Sequence, residues 1–341
     1  MQKILKYSFI FGLILFLTLL MRLDYRQLFD ILRRMNLWYL LIGFLLTAFE
    51  LLFKAVKLEQ VVSIFSKFGF NNALLTYLIG LPYGAVTPGK IGDVVKLYTL
   101  KQRTGLQRTE CIAIGFIERL LELIALVVLA TIGILTLTHH LQKQQFIDLL
   151  IIILVILIGF IAVLNRKVVK MFLRPFFYLL VPEHKRDKSR EFFNNFYQSV
   201  SKMLQHKGIM AFSLLLCILG WTASSIRTYY FARGLGITEL NLVLSIFVIP
   251  LIMLVELIPV SVLGIGTRDY GLITLLIILG IPAAQVTESA VSLSFLMLVL
   301  GGIPPAILGY GVALKEHLSI KKIKESENEE INPKSQIPNP K

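Results

Sequence analysis

Charge is scarce in this chain. Asp, Glu, Lys and Arg together make up 16% of its 341 residues, against about 25% in a soluble domain. Acids are the scarcer sign: 21 Asp and Glu stand against 35 Lys and Arg, a formal charge of +14. With 56% apolar residues and a mean hydropathy of +0.74, the sequence reads as a polytopic membrane protein. In that class a positive excess marks cytoplasmic loops and contact with anionic lipid, so no nucleic-acid partner is expected. Cysteine is nearly absent. Cys111 and Cys217 lie far apart in apolar segments, which implies buried thiols and excludes a disulfide framework. Neither HExxH nor GxSxG occurs, so the commonest hydrolase signatures are missing. The adjacent His139 and His140 have no third ligand placed beside them, and neither a metal nor a cofactor is expected. No small-residue cleavage site follows the apolar run Tyr7–Met21, which reads as a first transmembrane helix and not as a signal peptide.

Apolar runs dominate what is present, and one stretch breaks their pattern. In residues 81–96, Pro82 and Pro88 remove backbone donors, and Gly84, Gly89 and Gly92 loosen the chain. Lys90, Asp93 and Lys96 follow at helical spacing. Irregular backbone at membrane depth is tolerated only inside protein or along a wet cavity. Residues 74–96 therefore read as a broken or re-entrant element, with a plain polar loop after a short helix as the alternative.

Around it the chain reads as helices. One spans roughly 37–53, with Trp38 and Tyr39 as interface anchors and Glu50 and Lys54 as an intrahelical pair near its end; residues 57–72 read as interfacial. A long helix over 111–137 carries Glu118, Arg119 and Glu122. The two acids share one face, and Arg119 reaches Glu122 at i+3. A mid-bilayer charge costs about 2.5–3.5 kcal/mol on the insertion scale, so the three should face protein or water unless they lie at the interface. Further spans read over 146–164, 209–231, 240–259 (interrupted at Pro250, with Glu256) and 291–312 (loosened at Gly301, Gly302, Pro304 and Pro305). Between them, residues 165–207 hold ten Lys and Arg against three Asp and Glu, an excess that makes this loop cytoplasmic. Within it Phe192, Phe193, Phe196, Tyr197, Val200, Met203 and Leu204 recur at helical period. That stripe suits either the membrane surface or packing on the protein.

Pro82 precedes Gly89 by seven residues, and Pro259 precedes Gly266 by seven; Lys90 and Asp93 follow the first, Arg268 and Asp269 the second. Two interrupted segments in matching positions point to a two-fold internal repeat and a transport site between its halves. The expected fold is all-α: a polytopic transmembrane helix bundle of about 7–9 spans with two broken or re-entrant helical segments. Residues 1–314 form the membrane domain, and 315–341 form a cytoplasmic tail disordered toward its end.

Three motifs in order carry a family resemblance. Thr87-Pro88-Gly89-Lys90-Ile91-Gly92-Asp93, Glu118-Arg119-Leu120-Leu121-Glu122 and Gly264-Ile265-Gly266-Thr267-Arg268-Asp269 resemble those of the lysylphosphatidylglycerol synthase transmembrane-region family, also called flippase-like membrane proteins. The resemblance covers about residues 5–315, although the family commonly has Glu where this chain has Asp93 and Asp269, shorter acids with less reach. It implies a lipid translocase in a prokaryotic plasma membrane, without the aminoacyl-transferase or glycosyltransferase domain to which some relatives fuse this region. The lipid implied is a modified phospholipid or a polyprenyl-linked lipid. Thr87, Gly89, Lys90, Asp93, Lys96, Glu118, Arg119, Glu122, Glu256, Gly266, Arg268 and Asp269 are then the candidate headgroup-binding residues, with Lys90 and Arg268 gripping a phosphate on one polar cavity and the acids holding those cations when the site is empty. Partners expected are anionic or modified membrane lipids, with a homo-oligomer or a separate lipid-modifying enzyme as the protein partners left open. Two other classes remain at this point: a non-transporting partner of a lipid-modifying or glycosyltransferase enzyme, and an intramembrane lipid-modifying enzyme.

Overall fold

The computed structural model describes residues 33, 35–86, 94–138, 143–164, 167–168, 186–256 and 267–315. Every regular element among them is helical: α1 (Leu37–Ser63), α2 (Phe70–Val86), α3 (Val94–Thr104), α4 (Arg108–Thr136), α5 (Lys143–Leu164), α6 (Arg186–Gln205), α7 (Lys207–Gly234), α8 (Leu242–Glu256), α9 (Thr267–Ile278) and α10 (Ala283–Gly301). The expected first helix over 7–21, the His139-His140 pair and the tail beyond Lys315 lie outside the described residues.

Among the described residues three helices are long and apolar enough to cross a membrane by length and composition: Leu37–Ser63, Lys207–Gly234 and Gln285–Lys315. The last contains a bend at Gly302. Its N–H still reaches the Leu298 carbonyl at 2.9 Å, and helical backbone resumes after it, where Pro304 and Pro305 stand in a first turn that needs no backbone donor from them. α4, at 29 continuous residues, is long enough to cross and carries Glu118, Arg119 and Glu122 near its middle. α7 and α9 end in the same way, with Gly236 and Gly280 at φ of +79° and +87°. Ile237 N–H then bonds Ala232 O at 2.9 Å and Ile281 N–H bonds Leu276 O at 3.0 Å, closing the last turn where a side chain would be strained.

α1 runs ten residues past its expected end, to Ser63, because Ala55, Leu58, Val61 and Val62 continue its buried face. It packs antiparallel along α7: Gly43 lies under the Phe231 ring, Thr47 meets Arg227, and Lys54 meets Trp221. α2 and α3 also run back along one another. Arg103 near the end of α3 donates to Asn72 near the start of α2 at 2.7 Å, and Gly80 lies against Lys96. α8 and α9 repeat the arrangement, with Gly271 against Ile252 and Arg268 beside Glu256. Pro250 does not interrupt α8, which is helical through Glu256. α2 and α8, at 17 and 15 residues, are shorter than the ~20 needed to span hydrocarbon.

Most of the apolar interior among the described residues falls into two large clusters, beside a small third one of Val127, Ala130, Ile134 and Ile153. One cluster joins Met35, Leu126, Phe231, Ile249, Leu272 and Leu293; the other joins Leu58, Leu100, Ile114, Ile117, Met203 and Met210. Trp221 packs against both. α6 closes the second cluster: Tyr197, Val200 and Met203 are buried, and Phe196 meets Phe116 of α4 edge-on at 5.4 Å. Most of the aromatic stripe thus packs on the protein, while Phe192 and Leu204 stay exposed. Outward faces of α1, α5 and α7 expose Leu45, Phe49, Val155, Ile158 and Leu215, as a lipid-facing surface requires.

Close helix approach makes a test. A Cβ on Gly133 of α4 would stand 2.2 Å from the Phe247 carbonyl oxygen of α8, whereas one on Gly208 meets nothing within 4 Å. Gly133→Ala should lower thermal stability in detergent by about 1–3 kcal/mol through overpacking, while Gly208→Ala should leave the melting temperature unchanged.

Candidate functional site

The seam between the two apolar clusters is charged. On α1, Glu50, Lys54 and Lys57 stand at i, i+4 and i+7 and so share one face. On α4, Glu118 and Glu122 share the face that meets it. Lys57 Nζ lies 2.7 Å from Glu122 and 3.6 Å from Glu118, with only 1% of its side chain exposed. Lys96 of α3 reaches Glu118 at 2.7 Å, and Arg119 folds back to Glu122 at 2.9 Å. Glu50 takes Lys54 at 2.5 Å and Arg227 of α7 at 2.8 Å. The Arg227 guanidinium also donates to Thr47 Oγ1 and Ser224 Oγ, at 3.0 and 2.8 Å. Gly301 of α10 leaves room for it, since a Cβ there would stand 3.0 Å from its Cζ. Lys54 and Lys96 both lie over the Tyr77 ring, at 5.9 and 5.1 Å, and Lys54 also lies over Trp221 at 5.8 Å.

Each carboxylate is therefore bridged by two cations. Removing charges of this kind from water costs several kcal/mol per ion, which pairing repays only in good geometry. Four helices, α1, α3, α4 and α7, bring the charges to within 2.5–3.6 Å of one another, while both Glu118 oxygens are held by charge alone, with no hydrogen bond of good angle. Beside the cluster, Phe53, Lys54, Lys57, Glu122, Leu216, Cys217, Gly220 and Trp221 line a cavity of about 10 Å³, the room of one water.

A second, smaller cluster stands at the α8–α9 pair. Arg268 Nε donates to Ser294 Oγ of α10 at 2.9 Å and its Nη2 to the Ser294 carbonyl at 3.2 Å, with Glu256 at 3.8 Å. Asp269 stands in the first turn of α9, where its charge complements the helix dipole.

Of the residues expected at a site, Lys96, Glu118, Arg119 and Glu122 come together in the first cluster, and Glu256 and Arg268 in the second. Thr87, Gly89, Lys90, Asp93 and Gly266 lie outside the described residues. Sequence reasoning missed Lys57 and Arg227. Residues 57–72 read as interfacial, yet Lys57 is among the most buried side chains. The Glu50–Lys54 pair forms as read but shares its carboxylate with Arg227, 177 residues away. Lys57 did carry a signal: it continues the register of Glu50 and Lys54 without an acid at i−4. Among the described residues no group of three His, Cys, Asp or Glu stands together as a metal site would require.

The sequence profile of the lysylphosphatidylglycerol synthase transmembrane region matches residues 4–309, and the chain belongs to that family. Comparison with curated proteins found no match.

Because Lys57 serves two acids, its loss should be felt more than that of an exposed ion pair. Lys57→Met should lower stability by about 3–5 kcal/mol, the range for breaking a buried pair from one side. Arg190→Ala, which removes the exposed 3.6 Å pair with Asp187, should leave the melting temperature unchanged. Thermal unfolding of both variants in one detergent makes the comparison.

Proposed function

We propose that this integral membrane protein is a lipid translocase, moving a lipid with a polar or charged headgroup between leaflets through the charged seam of α1, α3, α4 and α7. The observation that carries the reading is the bridged network Arg227–Glu50–Lys54 and Arg119–Glu122–Lys57–Glu118–Lys96. Ionisable groups within membrane helices are expensive, face protein or water, and mark substrate or ion paths. Measured along α1 from Trp38 as an interface anchor, Glu50 lies about 18 Å in and Lys57 about 28 Å in, so the network extends from mid-hydrocarbon toward the far side.

Two features of the fold favour transport over a packing role alone. The antiparallel pairs α2–α3 and α8–α9 are each too short to cross and return, which suits two re-entrant elements meeting near mid-membrane from the two halves of an inverted repeat. Each delivers a cation to the interior, Lys96 from α3 and Arg268 from α9. A headgroup leaving water needs such compensated charges along its way, while its acyl chains remain in lipid beside the exposed apolar faces. With the basic 165–207 loop on the cytoplasmic side, re-entry of the first pair also places the N-terminus there. The setting proposed is a prokaryotic plasma membrane.

Transport is read directly in liposomes. Purified protein reconstituted with a trace of headgroup-labelled lipid should expose the inner-leaflet label to a membrane-impermeant quencher faster than empty liposomes do. Glu118→Gln, which keeps shape and removes the charge bridging Lys57 and Lys96, should slow this at least about tenfold, the effect of ~1.4 kcal/mol on a barrier. Equal rates in protein-containing and empty liposomes, across phospholipid and polyprenyl-phosphate labels, would contradict the proposal.

A further inference from the structure

We propose that the last membrane segment is hinged at Gly302, with residues 303–315 and α2 swinging as one limb against α10, and that Arg227 is the catch of the hinge. The motion stands on the geometry of the bend alone. The use given to it, opening the charged seam, rests on the translocase reading.

In an unbroken helix the carbonyls of Leu300 and Gly301 would take the N–H groups of residues 304 and 305, and here both are proline and have none. Two successive rungs are therefore missing at the bend, where the helix resists bending least. Each side is nonetheless held. Before the bend, Leu293, Leu296 and Leu300 lie in the first apolar cluster, and Ser294 accepts two hydrogen bonds from Arg268 of α9. Beyond it, Gly309 lies on α2, where a Cβ would stand 2.2 Å from the Leu78 carbonyl oxygen and 2.8 Å from Pro82 Cδ, and the Tyr310 ring stands 6.1 Å from that of Tyr83. None of residues 303–315 belongs to the apolar cluster that holds α10. The two limbs thus belong to different bodies, one with α9 and one with α2, and the weakened backbone lies between them.

Arg227 stands at the pivot. A Cβ on Gly301 would lie 3.0 Å from its Cζ and 3.2 Å from its Nε. Its Nη1 donates to Thr47 and Glu50 and its Nη2 to Ser224, while its Nε is buried and has no acceptor. A buried donor without an acceptor thus adjoins the residue whose carbonyl has lost its i+4 donor. A swing that turns the Gly301 carbonyl toward Nε pairs the two, so the donor left unpaired in the present state favours a second one. The consequence reaches the seam. Leu78, on which Gly309 rests, is next to Tyr77, whose ring lies over Lys54 and Lys96. Glu50 in turn ties Arg227 to Lys54. Movement of α2 therefore draws the Tyr77 ring off both ammonium groups and opens the seam from that side.

Pulsed electron–electron distance measurement reads the swing in the full chain in lipid nanodiscs. Both native thiols are buried, and spin labels go on Leu308→Cys and Ile277→Cys, exposed positions on the moving limb and on α9. The parent should show two distances, the minor one held by roughly a tenth of the molecules. Pro304→Ala with Pro305→Ala, which restores both rungs, should reduce that share at least about threefold. Arg227→Lys, which keeps the charge beside Glu50 but has no Nε, should reduce it likewise. A single distance in the parent, or two whose shares neither variant changes, would overturn the hinge. Shares changed by the proline variant and unchanged in Arg227→Lys would overturn Arg227 as its catch. Two distances without lipid movement in liposomes leave the hinge and remove the translocase; lipid movement with one fixed distance does the reverse.

Discussion

A charge held away from water must be met by another charge, and that requirement organises this bundle. Glu50, Glu118 and Glu122 each sit between two cations drawn from α1, α3, α4 and α7. The helices that contribute these groups are fixed to within hydrogen-bond distance of one another, and the apolar clusters on either side pack around the seam they make. The same residues would be costly if separated, because an unpaired buried ion has no water to turn to. Pairing of this kind adds little net stability over an apolar core of equal volume. The transport proposal gives these charges a task beyond packing.

Glycine makes the arrangement reachable. Gly301 admits the Arg227 guanidinium, Gly80 lets α3 lie close on α2 and so brings Lys96 inward, and Gly43 seats α1 under Phe231. These contacts set the α1–α7 and α2–α3 distances, and through them the positions of Lys54, Lys57 and Lys96. Gly309 plays the same part where residues 303–315 cross α2: a Cβ there would stand 2.2 Å from the Leu78 carbonyl oxygen. The path from sequence to site thus runs through close helix approach and not through any local motif.

Much of this was legible in the sequence where the signal is local. The all-helical membrane class follows from composition, the Glu118–Arg119–Glu122 face from i+3 and i+4 spacing, and the α6 stripe from its period. The lysylphosphatidylglycerol synthase transmembrane-region family was legible from three ordered motifs. What escaped was long-range. Lys57 has its partner 65 residues away, and Arg227 has its own 177 residues away, so helical spacing names neither partner, although the register of Lys57 without an acid at i−4 shows that it needs one. From sequence α1 reads as ending near Phe53 and not at Ser63, because a lysine reads as the start of an aqueous segment unless its partner is known. Gly301 and Gly302 read alike, as loosening; only packing separates the glycine that faces a guanidinium from the one that bends the chain.

The central claim is that Lys57 and the α4 carboxylates are coupled inside a low-dielectric seam. A double-mutant cycle on Lys57 and Glu122 tests it most directly: stability of the parent, Lys57→Met, Glu122→Met and the double variant, measured in lipid nanodiscs. The account predicts that the double variant is more stable than the sum of the single losses by at least about 1 kcal/mol, because removing both partners leaves less uncompensated charge than removing one. Additive losses, with the double variant destabilised by the full sum, would contradict it.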